Sequence, residues 1–304
     1  MKTAAIRELV ARHAQTDGTH TSPLEGVQLF RLSQPLERLP TVYSPSICII
    51  VQGSKRVFLG GETHVYDDSR YLCAAMPMPV EAEVPYATTD EPLLGLLVSL
   101  ETRAMAEIVV EYEANVGPTR GSRGSEPVPG LVVAEWGGAL GSALERLLEL
   151  LDDPVSLGIL GHGRLRELLY AVIQGDAGSL IRRTFGTSHR LSRALSYLHE
   201  NLDQPMSVDD LARRAGMSRA VFDRHFRAAT TLSPLRFFKA LKLNNAAMQI
   251  ARGVNISQAA ASVGYSSPSQ FSREFRRQYG TAPRQWGKMA AGAAVDAQSS
   301  AILT

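Results

Sequence analysis

Between residues 27 and 100 the apolar positions come in short bursts. VQLFRL (27–32), SICIIVQG (46–53), KRVFLGGE (55–62), THVYDD (63–68), RYLCAAM (70–76) and LLGLLVSL (93–100) are separated by Gly, Pro and Asp turns. Their length and spacing predict a small antiparallel barrel or sandwich. From residue 101 the period lengthens. TRAMAEIVVEYEAN (102–115), GSALERLLELLDD (141–153) and GRLRELLYAVIQ (163–174) repeat apolar positions every three or four residues and predict helices. The Gly/Pro/Ser-rich stretch 115–130 reads as a loop, and FGTSHRLSRA (185–194) as an interdomain joint. LGILGHGR (157–164) lacks both the P-loop lysine and the dinucleotide fingerprint and reads as a corner between helices. The start, MKTAAIRELVARHAQTDG, places Arg7, Glu8 and Arg12 among its apolar positions, and predicts an amphipathic helix rather than a leader peptide.

The C-terminal third repeats itself. AGMSRAVFDRHFRAATTLSPLRFF (215–238) returns, loosened, as VGYSSPSQFSREFRRQYGTAPRQW (263–286). Val208, Leu211, Ala212 and Gly216 match Ile256, Ala259, Ala260 and Gly264 at an offset of 48; Ser218, Phe222, Phe226 and Pro234 match Ser267, Phe271, Phe275 and Pro283 at 49. Each copy predicts two helices about a tight turn. Ser207 with Asp210 makes a capping-box start, Gly216 a left-handed stop and Ser218 the next N-cap. In the second copy Ser257 is the expected first cap, Gly264 the stop, and Ser267 the cap ahead of Pro268, whose missing N–H is harmless there. Residues 234–252 predict one continuous helix of about 28 Å, with Leu235, Phe238, Lys242/Leu243, Ala246 and Ile250 along one stripe.

Charge sharpens the division. The chain of 304 residues carries +2 overall. Residues 1–189 hold 16 Lys/Arg against 23 Asp/Glu, a net of −7; residues 190–289 hold 16 against 6, a net of +10; Asp296 supplies the remaining −1. A basic segment on an acidic protein points to a polyanion partner for that segment alone. Composition is that of a soluble globular protein, and no run approaches a membrane span. Cys48 and Cys73 form no disulfide framework and no CxxC, so the expected compartment is the cytoplasm.

In the repeated unit the phenylalanines fall on the packed face. Arg219, Ala220, Asp223, Arg224 and Arg227 are left outward in the first copy, and Ser269, Gln270, Ser272, Arg273, Arg276 and Arg277 in the second. Short polar residues near a helix start, with arginines further along, suit a helix in the DNA major groove, where Arg bonds guanine, Gln reads adenine and outer arginines meet phosphates. A surface helix with a salt-bridge face is the plain alternative, but only Asp223 and Glu274 offer local carboxylates. About 28 Å of helix between the copies suits two reading helices on one side of a duplex, whose turn is about 34–36 Å.

Residues 190–289 resemble the DNA-binding domain of the AraC/XylS family of bacterial transcription regulators. The resemblance rests on SVDDLARRAGMSRAVFDRHFR, SPLRFFKALKLNNAAMQI and ISQAAASVGYSSPSQFSREFRRQYGTAPRQW. It implies an all-α domain with two helix-turn-helix units. Ala220, Asp223 and Arg224 then take the base-facing positions of the first unit, and Ser269, Gln270, Ser272 and Arg273, behind Ser267, those of the second. Ala220 and Asp223 depart from what a guanine-reading helix needs, so the first unit is expected to read bases sparsely, or through a cytosine amino group. The region from PLEGVQLFRL to LLGLLVSL, with GRLRELLYAVIQGDAGSLIR, resembles the N-terminal domain of one AraC-type subfamily. That implies an α+β chain: a cupin-like β-barrel sensing a small molecule, helices used for dimerisation (1–185), the DNA-binding domain (190–289) and a flexible tail (290–304).

The expected protein is therefore a transcription regulator, activator or repressor, that binds promoter or operator DNA as a homodimer and contacts RNA polymerase. It has no catalytic residue, cofactor, metal or membrane partner. Candidate effector contacts are Tyr71, Met76, Trp136, His64 and Cys73, although aromatics and Met usually fill cores and a lone His is rarely a ligand. Metal-dependent cupins need paired histidines, and the strand region offers His64 alone. DNA-repair relatives of the domain depend on clustered zinc-binding cysteines, which are missing from this chain. Competing readings are a cupin-type enzyme with a DNA-binding tail, an oxidant or electrophile sensor acting through Cys73, and a ligand-free architectural DNA binder.

Overall fold

The computed structural model describes residues 2–116, 129–186 and 190–293. Helix α1 (Lys2–His13) leads into β1 (Gly18–Thr21), β2 (Val27–Leu32), β3 (Leu36–Tyr43), β4 (Ser46–Gln52), β5 (Ser54–Leu59), β6 (Glu62–Asp67), β7 (Arg70–Ala74), β8 (Met78–Val84) and β9 (Leu93–Ser99). Then come α2 (Thr102–Val116), β10 (Leu131–Glu135), α3 (Gly138–Glu149), a short 3-10 turn (Leu150–Asp152), α4 (Pro154–Gln174) and α5 (Gly178–Phe185). The remainder is helical: α6 (Arg190–Glu200), α7 (Val208–Arg214), α8 (Arg219–Thr230), α9 (Pro234–Ala251), α10 (Ile256–Ser262), α11 (Pro268–Tyr279) and α12 (Pro283–Ala293).

The strands form two antiparallel sheets, ordered β1-β2-β9-β4-β7-β10 and β3-β8-β5-β6. The expected barrel is thus a two-sheet sandwich that hydrogen bonding does not close. All six predicted strand runs are present. β1, β3, β8 and β10 escaped prediction, and Pro40 and Pro79 interrupt the second and third of these. β3 is an edge strand and Pro79 stands near the start of β8, places where a missing N–H is tolerated. The β5–β6 hairpin turns on Gly60 and Gly61, both at positive φ (61° and 94°), as a tight two-residue loop requires.

Alternation along β4 shows how the layers are assembled. Ile47, Ile49 and Val51 join Tyr71, Cys73 and Leu96 in a core covered by Ile6 and Val10 of α1, Leu144 and Leu148 of α3, and Val172 of α4. Cys48 and Ile50 face the other way, into the space between the sheets, with Val57, Tyr66, Leu72 and Met78. The LGILGHGR segment is not a corner. It lies inside α4, which Asp153 caps by accepting from the N–H groups of Val155 and Ser156, with Pro154 next. Gly161 packs so closely on Leu24 that an added Cβ would lie 3.2 Å from it.

The sandwich is open on one side, and α9 covers it. Register places Thr41, Tyr43, Val57, Met78 and Val80 on one face of the four-stranded sheet, while Arg56, Phe58, Glu81 and Glu83 share the opposite face. α9 packs on β3 and β8, with the Thr41 hydroxyl 3.7 Å from the Met248 sulfur. The core between the sheets therefore continues without a break into Phe237, Leu241, Ala247 and the phenylalanines of α8 and α11. At its centre Asn244 is 3% exposed. Its Nδ2 donates to the carbonyls of Thr41 (2.7 Å) and Val80 (2.9 Å), and its Oδ1 accepts from the Tyr279 hydroxyl at 2.7 Å. Leu235, expected on the buried stripe of this helix, is 68% exposed, because the packed side is set by Phe237, Phe238 and Leu241 instead. Residues 187–189 of the expected joint, 117–128 of the expected loop and 294–304 of the expected tail lie outside the described residues.

Two expectations follow. Asn244→Ala strands two carbonyls and a phenol, and should lower stability by about 1–3 kcal/mol; Asn244→Asp sets a carboxylate against those carbonyls and should cost more, read as urea midpoints of the full chain. Cys48 and Cys73 lie on neighbouring strands but on opposite faces of the sheet, both buried. Burial pushes the Cys73 thiol up to about 12. Burial also raises Cys48, with Lys55 and Tyr66 offsetting part of the rise. Neither is a thiolate at neutral pH, so a thiol-specific disulfide reagent should titrate both only after denaturation.

Candidate nucleic-acid interface

The first helix-turn-helix unit is α7–α8. The Ser207 hydroxyl accepts from the Asp210 N–H at 3.1 Å while the Asp210 carboxylate accepts from the Ser207 N–H at 2.9 Å, the capping box expected from sequence. Gly216 turns the chain at φ 59°, and Ser218 caps α8 by accepting from Val221 N–H. Phe222 and Phe226 are fully buried beneath α8, and Phe226 meets Phe237 of α9 edge-on with centroids 5.1 Å apart.

The second unit, α10–α11, follows the same plan with one correction. Asn255, not Ser257, caps α10, its Oδ1 accepting from the Ser257 N–H at 2.9 Å; the helix starts two residues earlier than the hydroxyl suggested. Gly264 turns at φ 78°, where a Cβ would press to 2.9 Å from the carbonyls of Leu202 and Asp203. Ser267 caps α11 with Pro268 behind it. Phe271 and Phe275 anchor the helix, and Phe275 stacks with Tyr279 (4.6 Å) and Trp286 (6.0 Å). A brace absent from the sequence reading fixes α11 against α9: Glu274 receives Lys239 (3.1 Å) and the Tyr265 hydroxyl (2.9 Å). Burial works against that carboxylate, but Tyr265, Lys239 and Gln270 outweigh it and hold its pKa below the usual range.

With the aromatic faces packed, the polar faces point outward. Arg219, Ala220, Arg224 and Arg227 on α8 are exposed, as are Ser269, Gln270, Arg273, Arg276 and Arg277 on α11; Asp223, Ser267 and Ser272 are half-buried. The two helices differ in what their charges already hold. Arg219 bridges Asp209 of α7 (2.9 Å) and Asp223 (3.1 Å), so two of the first unit's polar groups are engaged with each other. Arg224, Arg227, Arg273, Arg276 and Arg277 make no ion pair among the described residues. Gln270 leans on Glu274 at 3.3 Å.

The candidate effector residues do not converge. Tyr71 and Cys73 lie in the core between the six-stranded sheet and the helices, with Trp136 packed against it; Met76 belongs to the core between the sheets. His64, half-buried on β6, sits 3.7 Å from Glu62. Among the described residues no group of three His, Cys, Asp or Glu side chains is placed to hold a metal ion, and no helix is long and apolar enough to cross a membrane.

Residues 23–180 match the family described as AraC-type transcriptional regulator N-terminus, and residues 211–289 match a helix-turn-helix domain family. The chain is 28% identical over 148 residues to the HTH-type transcriptional regulator ArgR of Pseudomonas aeruginosa, covering 47% of this chain and 45% of that one. It is 34% identical over 97 residues to the HTH-type transcriptional regulator AlkR of Acinetobacter baylyi, covering 32% of each. The chain thus spans less than half the length of these relatives. Two structures of ToxT from Vibrio cholerae share the fold. One has a TM-score of 0.55 at 10% identity, over 86% of this chain and 97% of that one. The other, with an unsaturated fatty acid bound, has a TM-score of 0.52 at 12% identity, over 91% and 99%. With more than half of its residues inside the first of these families, the chain belongs to the AraC-type transcriptional regulators.

Proposed function

We propose that the protein is a one-component regulator of the cytoplasm that binds specific double-stranded DNA through α8 and α11 and answers to a small molecule taken up by its N-terminal part. Residues 1–185 form the effector and dimerisation domain and residues 190–289 the DNA-binding domain. The observation that carries this reading is the pair of phenylalanine-anchored helices whose outward arginines, Arg224, Arg227, Arg273, Arg276 and Arg277, stand exposed on a segment of net charge +10. Among the described residues none of them is in an ion pair, so phosphate and base edges are their natural partners. α9, eighteen residues long, spans about 27 Å and suits helices that enter successive stretches of major groove. Since Asp223 is held by Arg219, α11 carries most of the base reading.

The partners extend this reading. Bound at a promoter, the regulator contacts RNA polymerase and needs no chemistry of its own. A second copy packs on α4, whose outer side exposes Val155, Ile159, Leu160 and Tyr170. That ToxT has been solved with a fatty acid bound supports a small organic molecule as effector for this fold. The buried, protonated Cys73 favours such a ligand over a reactive sensor thiol.

Binding to genomic sites and to random duplexes, measured by anisotropy over a salt series, tests the DNA reading. Arg273→Ala should cost about 1–3 kcal/mol on the specific site and relax preference at one base position. Arg276→Ala should weaken specific and random DNA alike and flatten the salt slope by about one. Equal losses on both DNAs for Arg273→Ala would remove α11 from base reading.

A further inference from the structure

The space between the sheets is largely carbon, and it holds one charged side chain. Lys55 is 1% exposed, and among the described residues it is the only Lys, Arg, Asp or Glu that is buried. The two-residue period of β5 puts it there. Lys55, Val57 and Leu59 are buried while Ser54, Arg56 and Phe58 are half-exposed, and the neighbouring Arg56 turns outward to Glu83 at 3.0 Å. Tyr66, fully buried, stands directly across the hairpin from Lys55. Tyr43 reaches in from the far end of the sheet, where it pairs with Met78. Its hydroxyl lies 3.5 Å from that of Tyr66, and the Lys55 ammonium 5.2 Å from its ring centroid. Lys55 bonds the Tyr43 phenol, and the Cys48 thiol approaches Tyr66 from the facing sheet. An ammonium, two phenols and a thiol thus gather inside an apolar sandwich.

Packing alone does not call for this arrangement. A buried ammonium carries a desolvation penalty of several kcal/mol, and a hydrophobic side chain of similar volume often serves stability as well or better. What the cluster offers is recognition: an ammonium and two phenolic O–H groups can all donate to one carboxylate. A single cation matches a single negative charge, and a dianionic phosphate would be left half neutralised. The surroundings are Ile50, Val57, Leu72, Met76 and Met78, which suit an apolar body, and unbranched methionines yield readily to make room. Burial disfavours the ammonium, but Tyr43 and Cys48 outweigh it, and the net shift of the Lys55 amine is upward. The hairpin that bears Lys55 and Tyr66 ends at Gly60, where a Cβ would come within 2.0 Å of Thr231 at the end of α8, and α9 closes the same space.

We infer that the interior of the sandwich is the effector site and that its ligand is a small organic monocarboxylate with an apolar body, its carboxylate held by Lys55, Tyr43 and Tyr66. This rests on the reading of the N-terminal part as the sensor. The test uses the full-length protein with butyrate, octanoate, palmitate and benzoate, each beside its methyl ester, followed by calorimetric titration and thermal melting. At least one acid should bind and raise the melting temperature while its ester does not. Lys55→Met should weaken that acid by about tenfold or more with specific DNA binding retained. Tyr66→Phe, which removes one donor and keeps the ring, should weaken it less and covers the case in which Lys55→Met does not fold. Absence of binding by all four acids, equal binding of the esters, or full affinity in Lys55→Met would overturn the site. Specific DNA binding in the same preparation separates the two readings: intact DNA binding with no acid bound refutes the pocket alone, whereas an acid bound without specific DNA binding refutes the regulator and upholds the pocket.

Discussion

A sandwich of six and four strands that does not close by hydrogen bonding leaves an apolar inner face with nothing over part of it, and that face has to be covered. Here the cover is α9, the same helix that joins the two helix-turn-helix units. Its placement is set less by apolar burial, which would tolerate sliding, than by Asn244. An amide side chain buried among carbon must place donor and acceptor together. Asn244 does so only where Thr41 and Val80 stand opposite each other and Tyr279 comes down from α11. One residue therefore fixes the register of α9 on the sheet and the foot of α11 on α9. Lys239 and Tyr265 then hold the middle of α11 through Glu274.

Much of this was legible in the chain because it is local. Cap, glycine stop and paired phenylalanines act within a few residues, so both helix-turn-helix units could be written from Ser207 to Trp286 with one cap misplaced, at Ser257 instead of Asn255. Six strands were read as apolar runs; the short β1 and β10 were missed, and β3 and β8 were hidden by Pro40 and Pro79, whose tolerance depends on an edge or a strand end that only the assembled sheet defines. The glycines at 158, 161 and 163 suggested a corner, yet the cap at Asp153 and packing on Leu24 carry the helix through them.

What stayed hidden is long-range. Nothing near Arg219 announces Asp209, which belongs to another helix, so the engagement of the first unit's charges could not be foreseen. Lys55 was concealed by its neighbour: the pair Lys55-Arg56 looks like a surface strand end, and only the register against Tyr66 and Glu83 shows that one points in and the other out. The candidate effector residues were drawn from aromatic and sulfur side chains in apolar runs, which is also the description of a core. Tyr71 and Cys73 proved to be core on the helix side of the sheet.

The same geometry ties the chain's two halves into one device. An acidic part and a basic part of one protein attract each other through solvent only weakly once salt screens them over about 8 Å. The contact between them here is instead apolar and hydrogen-bonded, through α9 on β3 and β8 and through Gly130, whose N–H donates to the Ala229 carbonyl at 2.6 Å. Among the described residues, that leaves the exposed arginines of α8 and α11 uncommitted to the carboxylates of the N-terminal half. The fit between the halves then depends on shape: on how the inner face of the four-stranded sheet is filled and how α9 lies over it. In the regulator proposed above, a DNA-binding domain held by packing and not by charge would keep its cations for the phosphates.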